Sequence, residues 1–532
     1  MSTSRTKQRR AVRDRLRIPR TRAEGAAAPV QAGAAVQARR ALPWWLAWAA
    51  GWIGVMAVVA PRVSHVFIPR GRAFTSDHAI PVLMMRARDW SVFDIYYWGQ
   101  DRLGAWHLLL LRAVGQLTGH PIGWAQFHLC ATVWVLGAVA VLACFAGLWR
   151  WAAAGMLAAV LVGNPDSRIV MFDAAHPYAW QLTALLLAWW GLRRLAENGD
   201  APAPGRGRLR AATAFAAFLA HWSSPLSGPL LLFVSGVEAL RARALDAASA
   251  RSVMRRWREG ALVVGVAMAG ELVLRLAYYS PWLRQQPYYA TRTGLDWDGL
   301  GANALKVLGM LRASASLPLL IAGTMGAFAA AVLLWRARRG GRPQGEHWRL
   351  DGAALVLGCW VVAAAELPVL ALLSHVRINL FHPRYFALVY LFGSLAGLLT
   401  LVGVAAILPL LSRRQRAVLA LAGAAGVAAG VLRMPEPRHR RDVPAELAGR
   451  LERLAPGAPL VGGFWGTYVF SGLQHPQTML KPVPCEGQTV YARWWIEALR
   501  RQPRAVVAQM DVCEGFGAPG KPEQWIHQYG TL

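Results

Sequence analysis

The pair Asp77 and His78 opens the first stretch of the sequence whose residue types could do chemistry. The stretch 74–80 reads Phe-Thr-Ser-Asp-His-Ala-Ile, so the two titratable side chains stand directly before an apolar run. A positioned carboxylate can take a proton from a hydroxyl group, and an imidazole titrates near neutrality and binds metal ions. A serine followed by an aspartate before an apolar run is also an ordinary helix N-cap. The two roles can coexist at Asp77, and both stay open.

A second polar segment, 164–176, contains Asp173 and His176. These residues are three positions apart, so they share one face if the segment is helical. They would then lie near Asp77 if the two segments converge in the fold. The alternative is the ordinary polarity of a solvated loop, in which the Asn-Pro-Asp sequence at its start makes a turn.

A third polar segment, 374–384, carries Arg377, His382 and Arg384. A guanidinium group can bind a phosphate bidentately in a partly dry site. The alternative is that these side chains extend to lipid headgroups at a membrane surface. The segment therefore offers an anion site or an interfacial anchor.

The composition indicates that these segments are held by a membrane bundle. Apolar residues make up 55% of the 532 positions and charged residues 16%, against about 25% charged in a soluble domain. The net charge is +30, but the basic residues stand in short runs between apolar stretches, and the 25 Trp fit interfacial belts. We therefore exclude nucleic acid as a partner and expect contact with membrane lipids.

Apolar runs that cross or nearly cross a hydrocarbon core of about 30 Å recur along the chain. We predict eleven spans, near 43–61, 122–149, 152–164, 177–192, 211–222, 225–240, 260–277, 316–335, 353–373, 385–410 and 417–432. The pair 211–222 and 225–240 leaves open a re-entrant hairpin instead of two full spans.

The distribution of arginine predicts the orientation of these spans. Four connecting loops carry 5, 6, 5 and 3 Arg, and they are 193–210, 241–259, 336–350 and 413–416. A cytoplasmic N-terminus places all four on the cytoplasmic side, as the positive-inside rule requires. The opposite side then receives the segments 62–121, 164–176, 278–315 and 374–384.

Three domains are expected from this pattern. Residues 1–42 form a basic, disordered cytoplasmic tail, and 43–432 form the membrane domain. Residues 433–532 alternate Pro/Gly turns with short apolar runs, which predicts a small α/β domain on the outer side. We also expect helices from Ile80 to Trp90 and from Trp106 to Leu117, on or in the outer leaflet.

At three places the sequence resembles the GT-C superfamily of membrane glycosyltransferases, in its bacterial branch related to protein O-mannosyltransferases and lipopolysaccharide-core sugar transferases. The resembling residues are Ser76-Asp77-His78-Ala79 with Tyr97-Trp98-Gly99-Gln100 and Gly104, then His221-Trp222-Ser223-Ser224-Pro225-Leu226, then Pro383-Arg384-Tyr385. The order of these motifs and the predicted spans match over most of 43–432. The resemblance implies an α-helical, polytopic GT-C-like bundle with its site on the outer side.

This resemblance also implies a reaction, in which an inverting hexosyl or pentosyl transferase moves a sugar from a polyprenyl-phosphate donor to a glycan, lipid or protein acceptor. The reaction takes place at the periplasmic face of a bacterial inner membrane. Asp77 would be the catalytic base. His78 stands where many relatives have Glu, which leaves dependence on a divalent cation, Mg²⁺ or Mn²⁺, open. No other cofactor is implied.

Further site residues come partly from these motifs and partly from the polar segments 164–176 and 374–384. Trp98 and Gln100 would line the sugar pocket, although a tryptophan of the interfacial belt is the alternative. Asp173 corresponds to an acidic residue that relatives often have in their second outer loop. The predicted substrate-binding set is completed by His176, His221, Arg377, His382, Arg384 and Tyr385.

Two other classes of protein compete with the transferase. A transporter or flippase would place polar groups at mid-bilayer, and Glu271 and Glu366 are the notable charges inside predicted spans. A catalytically inactive GT-C-like binding protein is the third reading, because of His78. In the C-terminal domain, Cys485 and Cys513 are expected to form a disulfide if that domain lies outside the cytoplasm.

Overall fold

Helices make up most of the chain that the computed structural model describes, as the apolar runs require. The described residues are 76–87, 90, 92–97, 100–120, 124–146, 149–163, 176–198, 205–246, 250–278, 294–339, 347–404, 443–462, 464–475, 478, 480–484 and 506–507. The predicted tail and the predicted spans 43–61 and 417–432 lie outside them.

The segment 62–121, predicted as the first outer loop, folds within its described residues into helices around a small hairpin. Its elements are α1 (Ser76–Arg86), a 3-10 turn (Val92–Ile95), β1 (Tyr96–Tyr97), β2 (Gln100–Gly104) and α2 (Trp106–Thr118). The strands pair antiparallel, with Tyr96 opposite Gly104.

Helix α1 differs in place and surroundings from the helix expected between Ile80 and Trp90. It begins and ends four residues earlier, and the side chains of Ala79 to Met85 are buried. Protein covers this helix, because a helix of the C-terminal domain packs against it. Its apolar side chains are therefore buried by other side chains and not by lipid.

Helix α2 begins at the expected residue and ends within one residue of the expected end. Gly119 stops it in the left-handed conformation, with φ +69°, and donates its backbone N–H to Gln116. Leu110, Val114 and Leu117 form an apolar stripe on its exposed side, at 48%, 42% and 87% exposure. Such a stripe beside a buried face suits a helix at a membrane surface.

Nine predicted spans fall on described residues, and a helix overlaps each of them. These helices are α3 (Trp124–Phe145), α4 (Arg150–Gly163), α5 (Tyr178–Glu197), α6 (Arg206–Ser223), α7 (Ser227–Asp246), α8 (Ala250–Tyr278), α10 (Leu317–Arg339), α11 (His347–Leu372) and α13 (Ala387–Val404). Two more, α9 (Leu300–Ala313) and α12 (Ser374–Ile378), come before α10 and after α11. A total of eleven spans stays a prediction.

Small residues bring α10 and α13 into close contact. A Cβ at Gly323 would lie 2.9 Å from the carbonyl oxygen of Gly393 and 3.1 Å from the nitrogen of Gly397. Gly393 and Gly397 are spaced as in the GxxxG pattern, which lets helices in membranes approach closely. This contact places α13 against α10, and α13 also packs on α11.

Several helices of the bundle are built to cross a membrane. Within the described chain, four are long and apolar enough, and they are Arg251–Tyr278, Leu317–Ala337, His347–Leu372 and Pro383–Gly403. On α10, Ile321, Met325 and Phe328 are 53%, 69% and 75% exposed along one face. An apolar helix face left exposed along its length is a lipid-facing surface. The chain is a multi-pass α-helical membrane protein.

At one end of the bundle a buried ion network joins three helices. Asp351 Oδ1 accepts from Arg193 Nη2 over 2.6 Å and from Arg241 Nε over 2.7 Å. Arg241 also contacts Glu197 at 2.9 Å and Glu238 at 3.5 Å. These residues lie at the ends of α5, α7 and α11 that the positive-inside rule predicts on one common side.

The structure decides between alternatives at one connection, α6 to α7, and adds an unexpected helix at another, 278–315. Helices α6 and α7 have 18 and 20 residues, about 27 and 30 Å long, which favours two full spans over a re-entrant hairpin. Helix α9 was not expected within 278–315. Asn303 fixes it to the end of α11 by donating to the carbonyl of Ala371 over 3.1 Å.

The C-terminal domain is an α/β unit, as predicted. Its described elements are α14 (Val443–Leu454), β3 (Pro459–Gly462), α15 (Phe464–Leu473), β4 (Lys481–Pro484) and β5 (Val506–Val507). The sheet has the order β4-β3-β5 with parallel pairs. Ala448, Leu460, Phe470 and Leu480 form its core.

Candidate functional site

The hairpin formed by β1 and β2 packs against the C-terminal end of α6. Gly104 lies directly on Trp222, because a Cβ at position 104 would overlap the carbonyl oxygen and the indole Cδ1 of Trp222. The indole Nε1 of Trp222 donates to the carbonyl oxygen of Ile95 over 3.1 Å. Two motifs more than a hundred residues apart in the sequence are therefore one structural unit.

A second contact joins the same two segments, two residues further along the first and one residue further along the second. The indole Nε1 of Trp106 donates to Ser223 Oγ over 2.7 Å. Trp106 also meets Trp134 and Trp180 edge to face, with ring centroids 5.4 and 6.2 Å apart. Satisfied indole N–H groups and edge-to-face rings stabilise a buried aromatic cluster. The cluster fixes the start of α2 on α3, α5 and α6.

A buried carboxylate, Glu271 of α8, anchors the first strand of the hairpin. Tyr96 Oη donates to Glu271 Oε1 over 2.8 Å, and Arg275 Nη2 donates to the same oxygen over 2.7 Å. Burial and the Glu271 charge raise the pKa of Tyr96, so that its hydroxyl stays a donor. Glu271 is 3% exposed, which makes it an anchor and not an open ligand site.

His221, a predicted substrate-binding residue, lies beside this carboxylate. The backbone N–H of Gly228 donates to His221 Nδ1 over 3.2 Å, and His221 Nε2 lies 3.8 Å from Glu271 Oε2. Because Nδ1 accepts, a neutral ring carries its proton on Nε2, which faces the carboxylate. The side chain is 7% exposed and orients the turn between α6 and α7.

His107 is a buried histidine that sequence reasoning missed. Its Nε2 is 3.0 Å from Tyr97 Oη, and its ring stacks on Trp180 with centroids 4.9 Å apart. Burial lowers the pKa of His107 to about 3 because the cation would lose its hydration. The residue is therefore neutral and helps to fix the hairpin to α5.

Asp77 is the second residue of α1, one position after the helix begins at Ser76. Its side chain lies outside the described residues, while His78 is half-buried. The catalytic role of Asp77 stays a prediction, as does that of His78.

The segment between α11 and α13 gathers polar side chains around His375. Its Nε2 is 3.0 Å from Tyr385 Oη and 3.2 Å from Asn379 Nδ2. Arg384 Nη2 donates to Tyr385 Oη over 3.2 Å, and His382 Nδ1 accepts from the Arg384 backbone over 3.3 Å. The predicted residues Arg384, Tyr385 and His382 are brought together here. His375 was missed, because nothing in the sequence pairs it with a tyrosine ten residues later.

Arg377 belongs to an ion pair next to this group. Its Nη1 lies 3.1 Å from Asp296 Oδ2, and Arg377 is half exposed. Hydrogen bonds from Asn303 and the Gly299 backbone, together with the Arg377 charge, lower the pKa of Asp296. An antiparallel bridge between Leu295 and Leu373 holds the two segments together.

The structure describes only some of the remaining predicted site residues. His176 is 5% exposed at the start of α5, with its ring 5.4 Å from that of Tyr178. Only the backbone of Gln100 is described, as the first residue of β2. Outside the described residues lie Trp98, Asp173, Cys485 and Cys513. In the part of the chain that the structure describes, no three His, Cys, Asp or Glu side chains are grouped as metal ligands.

Comparisons with known proteins complete the description. No family model and no curated protein matches the chain. Among solved structures it is similar to ArnT from Cupriavidus metallidurans bound to undecaprenyl phosphate, with 17% identity and a TM-score of 0.43 over 87% of this chain and 90% of the other. It is also similar to the oligosaccharyltransferase AglB from Archaeoglobus fulgidus, in complex with an inhibitory peptide and a dolichol-phosphate. That similarity has 11% identity and a TM-score of 0.43, over 84% of this chain and 68% of the other.

Proposed function

We propose that the chain is a GT-C-type membrane glycosyltransferase of the bacterial inner membrane. The observation that carries this proposal is the contact of Gly104 with Trp222. Each residue belongs to a separate motif that resembles the superfamily, and the contact makes the two motifs one unit. A shared packing unit is what a common site requires, whereas two chance matches need not touch.

The reaction we propose is transfer of a hexosyl or pentosyl group from a polyprenyl-phosphate donor to a glycan, lipid or protein acceptor. Asp77 takes the proton of the acceptor hydroxyl as its oxygen forms a bond to the anomeric carbon. The bond from that carbon to the phosphate oxygen breaks, and the carrier phosphate leaves from the opposite face. This displacement inverts the anomeric centre. Asp173, Trp98, Gln100, His176 and His221 are proposed to serve the acid-base and sugar-binding parts of the site.

The group around His375 is our proposed site for the carrier phosphate. Arg384 lies against the Tyr385 ring, with its Cζ 5.1 Å from the centroid, and is positioned by the Tyr385 hydroxyl. A guanidinium held in this way loses less freedom when it binds a phosphate bidentately. Arg377 and His382 flank it. We place both this group and the hairpin on the periplasmic side, with the N-terminus cytoplasmic and the C-terminal domain periplasmic.

A divalent cation, Mg²⁺ or Mn²⁺, stays a proposal for the Asp77 and His78 region. A carboxylate next to an imidazole suits Mn²⁺ better than Mg²⁺, which prefers oxygen ligands. Chelation followed by addition of each metal tests this. Recovery of transfer by Mn²⁺ alone would support the imidazole as a ligand, and full activity in chelator would exclude a metal requirement.

The experiment that tests the function compares envelope glycans and glycolipids from three strains by mass spectrometry. One strain lacks the protein, one carries the wild type, and one carries Asp77→Asn at equal membrane abundance. We expect one sugar addition to be lost in the first and third strains and present in the second. Identical profiles in all three would overturn the proposal.

A transporter is the second candidate, and Glu366 in α11 favours it. Among the described residues its Oε2 is buried without a hydrogen-bond partner, and the side chain is 5% exposed. A carboxylate within a membrane span is a typical element of a translocation path. Loss of substrate movement in Glu366→Gln, with movement intact in Asp77→Asn, would favour this candidate over the transferase.

A further inference from the structure

The C-terminal domain makes its main described contact with α1, the helix that carries Asp77. Helices α1 and α15 pack side by side. At the end of α1, Arg86 Nη1 donates to the carbonyl oxygen of Gln474 over 2.9 Å and to that of Gly472 over 3.4 Å. These two residues flank the end of α15 at Leu473. A guanidinium of the first outer loop is therefore bonded to the C-terminus of a helix in the other domain.

The carbonyl groups at the end of α15 are a favourable place for a cation. The last carbonyls of a helix have no partner within the helix and carry partial negative charge. Glu452 of α14 adds a full negative charge near Arg86. Burial lowers the pKa of Arg86 to about 10, so the residue keeps its charge at neutral pH while most of its water is removed.

The acceptor side is fixed by the domain core. Gln474 is 3% exposed. Its Nε2 donates to the carbonyl of Ala448 over 2.9 Å, and its Oε1 accepts from the Leu480 backbone over 2.6 Å. Ala448 and Leu480 belong to the hydrophobic core of the domain. A movement of this carbonyl therefore requires a movement of the whole domain core.

We propose that the C-terminal domain positions α1, and with it Asp77, through Arg86. Arg86 is a positioning residue, since it holds the far end of the helix whose second residue is Asp77. The catalytic part of this inference rests on the proposed function, whereas the mechanical coupling does not. The domain is then part of the site's framework, whether or not it also selects an acceptor.

The coupling has a kinetic consequence for a transferase. A base displaced by about 1 Å loses on the order of a hundredfold in rate, because the reacting atoms are no longer aligned. The proposed site for the carrier phosphate, around His375, lies on other elements of the chain, so the donor KM should hardly change. The predicted signature of a weakened coupling is therefore a fall in kcat at nearly constant donor KM.

Hydrogen–deuterium exchange of the full-length protein in nanodiscs tests the coupling without any assay of activity. In Arg86→Met we expect the amides of α1 and α15 to exchange at least about tenfold faster, while those of α8 keep their protection. Arg86→Lys, which keeps the charge but loses the planar guanidinium fork, should fall in between, and it replaces Arg86→Met if that variant does not fold. The control is Arg450→Met, which removes an exposed arginine of the same domain and should change nothing.

The outcomes separate this inference from the proposed function. Unchanged exchange in α1 of Arg86→Met would overturn the coupling, whatever the activity. Faster exchange together with wild-type kcat would show the helix held by the domain but overturn Arg86 as a positioning residue. If the wild type transfers no sugar from any lipid-linked donor, the proposed function falls, and the exchange experiment still decides the coupling.

Discussion

The hydroxyl of Tyr96 donates a 2.8 Å hydrogen bond to the carboxylate of Glu271, 175 residues further along the chain. This bond joins the segment 62–121 to α8. Arg275 pairs with the same carboxylate oxygen and lies over the Tyr96 ring. A hydrogen bond to a charged group is stronger than one between neutral groups. The loop that carries the predicted base is thus tied to the bundle by charge as well as by packing.

Tyr96→Phe should lower the free energy of unfolding by about 1.5–3 kcal/mol, the usual worth of a hydrogen bond to a charged group. The measurement is unfolding in mixed detergent micelles for Tyr96→Phe, Glu271→Gln and the double variant. A coupling energy of about 1 kcal/mol between the two sites is expected from residues in direct contact. Strictly additive effects would show that the bond contributes nothing to stability.

Gly104→Ala should destabilise the protein by about 1–3 kcal/mol, since overpacking cannot be relieved at a backbone carbonyl. The new methyl group would meet the carbonyl of Trp222, which no change of side-chain rotamer can move. Gly155→Ala is the matched control, because a Cβ there has open space in helix α4. Equal stability of the two variants would contradict the close contact of the two motifs.

Helices with a clear apolar pattern could be predicted from the sequence, whereas the residues that they contact in the fold could not. Helix α2 was expected from Trp106 to Leu117 because its apolar period is regular, and it runs from Trp106 to Thr118. Glu271 was recognised only as a charge within a span. Its bond to Tyr96 depends on how two distant segments approach each other, and periodicity holds no information on that.

The C-terminal domain, too, could be predicted from the sequence only in part. The domain was predicted from Pro/Gly turns and short apolar runs, and β3 is such a run, but β4 reads Lys-Pro-Val-Pro and does not fit that pattern. Proline is tolerated in an edge strand, and β4 lies at the edge of the sheet. The burial of α1 was also missed, because its cover comes from α15, almost four hundred residues later in the chain.

Between pH 6.5 and about 3, His107 is protonated in the unfolded chain but neutral in the folded protein. The free energy of unfolding should therefore fall as the pH is lowered through this range. The pKa of this residue is lowered from 6.5 to about 3 in the folded protein. Between these values the unfolded chain binds more protons, so stability rises with pH. In His107→Phe this pH-dependent contribution to stability should be absent. The melting temperatures of variant and wild type are compared from pH 4 to about 7, and the difference between them should change with pH. A pH-independent difference would contradict a neutral, buried His107.

Arg384→Lys should raise the KM for a polyprenyl-phosphate sugar by about tenfold, because lysine loses the bidentate fork and the contact with the Tyr385 ring. Arg377→Lys should have a smaller effect, since Arg377 is half exposed and paired with Asp296. The measurement is initial rate against donor concentration in nanodiscs. A larger effect at Arg377 than at Arg384 would move the phosphate site away from Tyr385.

The proposed transferase activity depends most directly on Asp77 as the base that activates the acceptor. The decisive measurement is the rate of sugar transfer from a radiolabelled polyprenyl-phosphate donor by purified wild type, Asp77→Asn and Asp298→Asn. Asp298 is an exposed aspartate in the segment 278–315, which is also predicted on the outer side, and serves as the control. We expect Asp77→Asn to lower kcat by on the order of 10²–10⁴ while Asp298→Asn keeps the wild-type rate. Transfer by Asp77→Asn at the wild-type rate would contradict the account.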